Sequence, residues 1–260
     1  MSLDHAVSLV KQQTLTRDAF LGGRLVVSQP ERGFRAGLDS VLLGASVRPG
    51  ARRVLDLGAG AGTAALVALA DQPQATATLV EIDDETAALA ALNLGNNGMA
   101  ERGRVLTLDV TAKGSLRASA GLAADHYDAV IANPPFFDPA TGSAPSEARS
   151  AARHMPPEAL ELWVKAAATH AAPEGEIVFI HAAGSLPYLL AAFSRRFGAV
   201  TVLPLSPREG EPATRVLIRG IKGSRAPFTL LANRALHEAS GRTFRPAFDG
   251  IFRGTGRLVW

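Results

Sequence analysis

The feature that most constrains this chain is Val54-Leu55-Asp56-Leu57-Gly58-Ala59-Gly60-Ala61-Gly62-Thr63, followed by the helix-forming run Ala64 to Ala70. An apolar strand that passes through a glycine-rich turn into a helix opens a βαβ unit, which commits the chain to a parallel sheet with helices on its faces. The turn also brings backbone N–H groups and the positive end of a helix towards whatever lies beyond the strand, with no side chain in the way. Its spacing is G-x-G-x-G, whereas nicotinamide-binding turns usually carry G-x-G-x-x-G. An acid, Asp56, stands two residues before the first glycine. That acid suits an ammonium group better than a pyrophosphate.

The pattern of strand followed by polar residue repeats. Leu79-Val80-Glu81-Ile82-Asp83 ends the next strand, with Glu81 lying 19 residues after Gly62. A carboxylate at this point of a βαβ unit can accept hydrogen bonds from both hydroxyls of a ribose. Thr86 to Asn96 reads as a helix ended by Asn96-Asn97-Gly98, and Arg104 to Val110 as a third strand ending in Asp109. The fourth strand, Tyr127 to Ile131, runs into Ala132-Asn133-Pro134-Pro135-Phe136-Phe137. Two consecutive prolines lack backbone donors and fix their own φ, so the strand stops there. In a parallel sheet Asp56, Glu81, Asp109 and Asn133 share one edge, the edge at which ligands bind in open α/β sheets.

Around this frame, residues 3 to 13 read as a short helix and Leu21 to Val27 as a hairpin. A glycine-punctuated loop from Gly33 leads into a helix with Asp39 placed as its cap. Asp138 to Pro157, carrying Arg149, Arg153 and His154, has the composition of a segment over a site or of a plain connection. Glu158 to Ala171 is a helix whose stripe is Leu160, Val164 and Ala167, with Trp163 read as core. Then come a strand (Glu176 to His181), a helix (Leu186 to Phe197) and two strands (Val200 to Leu205 and Ala213 to Lys222) close enough to form an antiparallel hairpin.

Composition removes several classes of chemistry. With no cysteine there are no disulfides, thiolate metal sites or cysteine nucleophiles, which fits a cytoplasmic protein. The six histidines are scattered without metal-ligand spacing. The first residues do not read as a signal peptide, and the uncharged run from Ile177 to Ser194 is broken by Gly184-Ser185-Leu186-Pro187, so no membrane span is expected. Charge is uneven: from Ser185 onward there are 12 lysines and arginines against 4 acids, while residues 1–184 hold 15 against 20. A basic final third on an acidic body suits a polyanion such as nucleic acid, or a surface solubilised by arginine.

Together VLDLGAGAGT, LVEID, the strand ending in Asp109, and NPPF resemble the motif series of the amino-methylating S-adenosylmethionine-dependent methyltransferases, over roughly residues 33 to 222. More narrowly, Leu21-Gly22-Gly23, Gly37 to Ala45, Pro207-Arg208, Arg215 to Ile218 and Lys222 to Arg225 resemble the bacterial valine-tRNA adenine methyltransferases, with Phe136 where tyrosine is more usual. The resemblance implies an α/β fold: a Rossmann-like seven-stranded sheet, mostly parallel with a C-terminal antiparallel hairpin. It implies an N-terminal extension and cofactor-closing segment over 1–45, a core over 46–225, and a basic C-terminal segment over 226–260 packed on or beside that core.

The same resemblance implies S-adenosylmethionine as cofactor, with no metal required. Asp56 would face its ammonium, Gly58 and Gly60 would admit it, Glu81 would hold the ribose, Ile82 would pack on the adenine, and Asp109 with Val110 would recognise that ring's edge. Arg35 and Asp39 would belong to the closing segment. Asn133 would border the cofactor and, with the Pro134 carbonyl, accept the target amine's two N–H groups while Phe136 stacks on its ring. The implied reaction is methylation of an exocyclic adenine amine in RNA, with tRNA the narrower expectation. A protein glutamine amide, DNA adenine or a small molecule could use the same fold. A catalytically silent RNA-binding protein is the reading from another class, and the intact Asp56, Glu81 and Asn133 argue against it.

Overall fold

The computed structural model describes residues 15–31, 35–135 and 157–260. The helix expected over 3–13, Gly33, Phe34, Phe136, Phe137, Arg149, Arg153 and His154 lie outside the described residues. Strands β1 (Leu15–Phe20) and β2 (Leu25–Pro30) form the expected hairpin, turning through Leu21–Gly23. After helix α1 (Leu38–Ala45), the chain alternates β3 (Arg53–Leu57), α2 (Thr63–Asp71), β4 (Thr76–Glu81), α3 (Asp84–Asn96), β5 (Gly103–Thr107), α4 (Gly114–Ser119) and β6 (Tyr127–Ala132). Helix α5 (Pro157–His170), β7 (Ala171–Ala182), α6 (Leu186–Ser194), β8 (Phe197–Ser206) and β9 (Arg215–Lys222) complete the core pattern.

The sheet order is β5-β4-β3-β6-β7-β9-β8. Neighbours from β5 to β7 are parallel, and β9 enters between β7 and β8 antiparallel to both, so the expected α/β sheet with its terminal hairpin is present. Val54, Leu55, Leu57, Leu79, Val80, Val130 and Ile131 are all 0% exposed. Strands covered on both faces need continuous apolar runs, which is why these do not alternate. Helices α1, α2 and α3 cover one face, and α5 and α6 the other.

Several boundaries differ from expectation, each for a local reason. Asp39 falls in the first turn of α1, whose N-cap is Gly37, because its carboxylate is taken by the Arg215 guanidinium at 2.9 Å. Strand β3 runs one residue past Asp56, and β5 stops two residues before Asp109. There Asp109 Oδ1 accepts from Thr111 N and Oγ1 at 2.7 and 2.8 Å, a local turn that competes with the ladder. Helix α4 carried no sequence reading at all.

The hairpin is fixed to the core through α3. Asn97 accepts from Val26 N and donates to Val26 O, and Asn93 accepts from Ser28 N at 2.8 Å and donates to Ser28 O at 2.9 Å. Residues four apart share a helix face and alternate strand residues share an edge, so two side-chain amides stand in for a neighbouring strand. Asn93, 0% exposed, also donates to Ala61 O at 3.0 Å and so ties the hairpin to the glycine turn.

After Lys222 the chain adds β10 (Thr229–Leu230) and β11 (Arg234–Ala235), both parallel to β8, and then α7 (Pro246–Phe252). Phe248, Ile251 and Leu258 are buried in the same cluster as α1 and α2. The chain ends with Trp260 Nε1 donating to Ser46 O at 3.1 Å and the Arg219 guanidinium 4.6 Å from the indole centroid. Among the described residues no helix is long and apolar enough to cross a membrane.

Candidate active site

The turn after β3 is built on positive φ angles at Gly58, Gly60 and Gly62, of 67°, 55° and 85°. Only glycine adopts these without strain. At Gly58 a Cβ would stand 2.5 Å from Trp163 Cη2, and at Gly62 a Cβ would stand 2.9 Å from Leu79 Cδ2. Trp163, read from the sequence as core, is 8% exposed and walls this turn from below.

Glu81, the last residue of β4, closes the turn from the side. Its Oε2 accepts from Gly60 N at 2.9 Å, and its Oε1 accepts from Ile82 N and Asp83 N at 2.8 and 3.1 Å. Asp56 is 2% exposed, and its Oδ2 accepts from Ala65 N at 3.1 Å. Burial pushes its pKa up to about 7, the Ala65 N–H opposes the rise, and the charge of Glu81 adds to it. A buried carboxylate held so poorly gains most from an arriving cation. Ile82, 65% exposed, extends an apolar side chain at the same edge. Val110 is buried, and its carbonyl accepts from Arg117 Nη1 at 3.0 Å. Arg117 is itself buried, its pKa lowered by that burial against the attraction of Asp109.

On the neighbouring strand, Ala132, the last residue of β6, pairs with Phe179, two residues before His181 of β7. Asn133 Oδ1 is shielded from solvent with no partner among the described residues, and so is Thr63 Oγ1 at the start of α2. Polar atoms in that condition are uncommon and call for an explanation such as a ligand. His181 is fully buried; burial pushes its pKa down to about 4, against hydrogen bonding to the Pro135 and Ala182 carbonyls. The ring is therefore neutral near pH 7 and supports the Asn-Pro-Pro turn.

Most of the expected site residues thus lie along one edge: Asp56, Gly58, Gly60, Glu81, Ile82, Asp109, Val110, Asn133 and Pro134 stand at or just beyond the ends of β3 to β6. Asp39 joins them through Arg215, the first residue of β9, which pairs with Ala182 at the end of β7. Arg35 is engaged with the hairpin instead: it donates to Asp18 Oδ2 at 2.6 Å, Thr16 Oγ1 at 2.8 Å and Pro30 O at 3.1 Å. Phe136 lies outside the described residues. Sequence reasoning missed Thr63, His181 and Arg215. A histidine closing an otherwise apolar strand was the available signal for His181; the Arg215 to Asp39 pair spans 176 residues and left none.

These features fit S-adenosylmethionine. A desolvated carboxylate at Asp56 suits its ammonium, the side-chain-free turn suits close approach, and Thr63 Oγ1 and Asn133 Oδ1 are polar atoms that still need partners. Glu81 carries three backbone N–H groups already, so a ribose would share oxygens that also shape the turn.

Comparison with known proteins gives consistent relatives. Residues 38–205 match the model of the methyltransferase small domain. A tRNA1(Val) (adenine(37)-N6)-methyltransferase of Enterobacter sp. (strain 638) is 29% identical over 226 residues, 79% of this chain and 89% of that protein. Its namesake in Yersinia enterocolitica is 34% identical over 151 residues, little more than half (56%) of either chain. A crystal structure described as a predicted O-methyltransferase, protein Atu636 from Agrobacterium tumefaciens, matches with a TM-score of 0.72 and 32% identity over 85% of this chain and 98% of that one. The 16S rRNA N2 G1207 methyltransferase of T. thermophilus, in complex with AdoMet and guanosine, shares the fold at a TM-score of 0.52 and 21% identity, over 82% of this chain and 46% of that one. With the family model covering residues 38–205 and the Agrobacterium protein matched over nearly its whole length, this chain belongs to the methyltransferase small domain family.

Proposed function

We propose that this protein transfers a methyl group from S-adenosylmethionine to the exocyclic amine of an adenine in tRNA. The observation that carries the reading is Asn133: an amide oxygen without a partner among the described residues, held where two prolines end β6, on the edge shared with Asp56 and Glu81. The relatives named for adenine N6 methylation of a tRNA support the choice of substrate. Such a substrate implies the cytoplasm.

When bound, S-adenosylmethionine supplies a methyl group on a sulfonium, already strongly electrophilic, so the chain's task is mainly to position a nucleophile. Asp56 holds the ammonium end, Glu81 the ribose, and Ile82, Asp109 and Val110 the adenine. Arg35 reaches the site only indirectly, by anchoring the segment before α1 to the hairpin. An aromatic amine is a weak nucleophile because its lone pair is delocalised into the ring. Asn133 Oδ1 and the Pro134 carbonyl accept its two N–H groups, allowing the nitrogen to pyramidalise and stabilising the charge that develops there. Phe136 stacks on the base, a contact worth about 1 to 3 kcal/mol. The base reaches this pocket turned out of its stack.

The Agrobacterium relative's description names oxygen as the acceptor. A hydroxyl has one proton to give and makes no use of two acceptors, which favours the amine. Mass spectrometry of nucleosides from tRNA incubated with the protein and S-adenosylmethionine separates the readings. N6-methyladenosine supports the proposal, whereas 2′-O-methylated nucleosides alone would replace it.

A further inference from the structure

The sheet order beyond the site sets a line of arginines along the same edge. From Asn133 on β6, the edge passes β7, then β9 with Arg215 at its start, then the end of β8, where Arg208 follows Ser206. Beyond β8 a second hairpin is built by the C-terminal segment: Glu238 N donates to Thr243 O and Arg245 N to Leu236 O, both at 2.9 Å. The His237 and Phe244 rings stack across it with centroids 4.6 Å apart. Its base is fastened to the end of β8 by Leu236 N to Ser206 O at 2.9 Å and His237 N to Pro207 O at 3.0 Å, and its tip by Arg208 Nη2 to Gly241 O at 2.8 Å.

This lobe presents Arg208, Arg242 and Arg245 beside Glu209, Glu211 and Glu238, so its arginines can meet phosphate only where the acids are displaced. Arg242 is exposed, with no side-chain partner among the described residues. Arg245 pairs with Glu209 at 2.6 Å and Arg208 with Glu211 at 3.7 Å, with Glu209 77% and Glu211 44% exposed. Exposed pairs of this kind contribute little and exchange readily for a stronger anion. Strands are about 4.8 Å apart, so three steps from β6 to β8 set the end of β8, the near side of the lobe, about 15 Å from Asn133. A nucleic-acid strand advances about 3.4 Å per phosphate along its axis, so this corresponds to four or five nucleotides.

We propose that the lobe formed by residues 207–211 and 236–245 is the platform that holds the phosphate backbone of the RNA flanking the target base. The inference rests on the RNA reading above and adds to it where the substrate lies.

Binding of tRNA, followed by fluorescence anisotropy over a range of KCl concentrations, tests the lobe. For Arg242→Gln/Arg245→Gln the slope of log affinity against log salt becomes shallower by roughly 1.5 to 2, and affinity near 0.15 M salt falls about tenfold or more. Glu209→Gln/Glu211→Gln frees two arginines and tightens binding, a gain that a folding defect cannot mimic. Wild-type slope and affinity in both variants, from a protein that binds and methylates tRNA, overturn the platform. A wild-type protein that neither binds nor methylates tRNA overturns the RNA reading itself, and the platform with it.

Discussion

Asp56→Asn removes a carboxyl whose pKa in the folded protein is pushed up to about 7 from an ordinary 3.8, chiefly by burial. Between these values the folded protein keeps a proton that the unfolded chain has released. Stability therefore falls as pH rises through that window, and the loss is complete above about 7. At about 1.4 kcal/mol per pH unit the whole window corresponds to about 4 kcal/mol, of which roughly 2 to 3 kcal/mol accrues between pH 5 and pH 8. Asparagine keeps an acceptor for Ala65 N and does not titrate. Without added cofactor the variant is thus the more stable protein, by a margin that widens by about 2 to 3 kcal/mol from pH 5 to pH 8, or roughly 5 to 10 °C in Tm. Thermal unfolding by calorimetry at the two pH values measures it. Saturating S-adenosylmethionine then raises the Tm of the wild-type protein far more than that of the variant. A margin that stays flat with pH would refute the argument that Asp56 is strained by desolvation and relieved by a cation.

Other substitutions probe the frame around the site. Gly58→Ala forces a left-handed backbone on alanine and drives its Cβ to 2.5 Å from Trp163 Cη2, costing about 2 to 5 kcal/mol of stability; adding Trp163→Leu recovers part of the loss in a denaturant titration. Asn93→Ala strips partners from Ser28 N, Ser28 O and Ala61 O and is expected to cost about 3 kcal/mol by urea unfolding.

Much of the fold was legible because each level of the sequence agreed with the next. The strand, glycine turn and helix from Val54 to Ala70, the recurrence of a polar residue near each strand end, and the proline pair after Asn133 all follow from local chemistry. The parallel sheet then gathers Asp56, Glu81, Asp109 and Asn133 on one edge. What stayed hidden depends on contacts between distant segments. Asp39 looked like a helix cap because nothing local reveals Arg215, which takes its carboxylate. Trp163 looked like plain core because the turn it walls lies more than a hundred residues earlier. The course from Ala226 to Trp260 carries few periodic signals; its strands are two residues each and owe their place to the open edge of β8.

Asn133→Ala tests the central claim most directly, measured as transfer of labelled methyl to tRNA in a single turnover beside a calorimetric titration with S-adenosylmethionine. The substitution removes the acceptor proposed for the target amine and leaves Asp56, Glu81 and the glycine turn in place. Transfer is expected to vanish while cofactor affinity stays within about tenfold, or about 1.4 kcal/mol. Full transfer by the alanine variant would contradict the account.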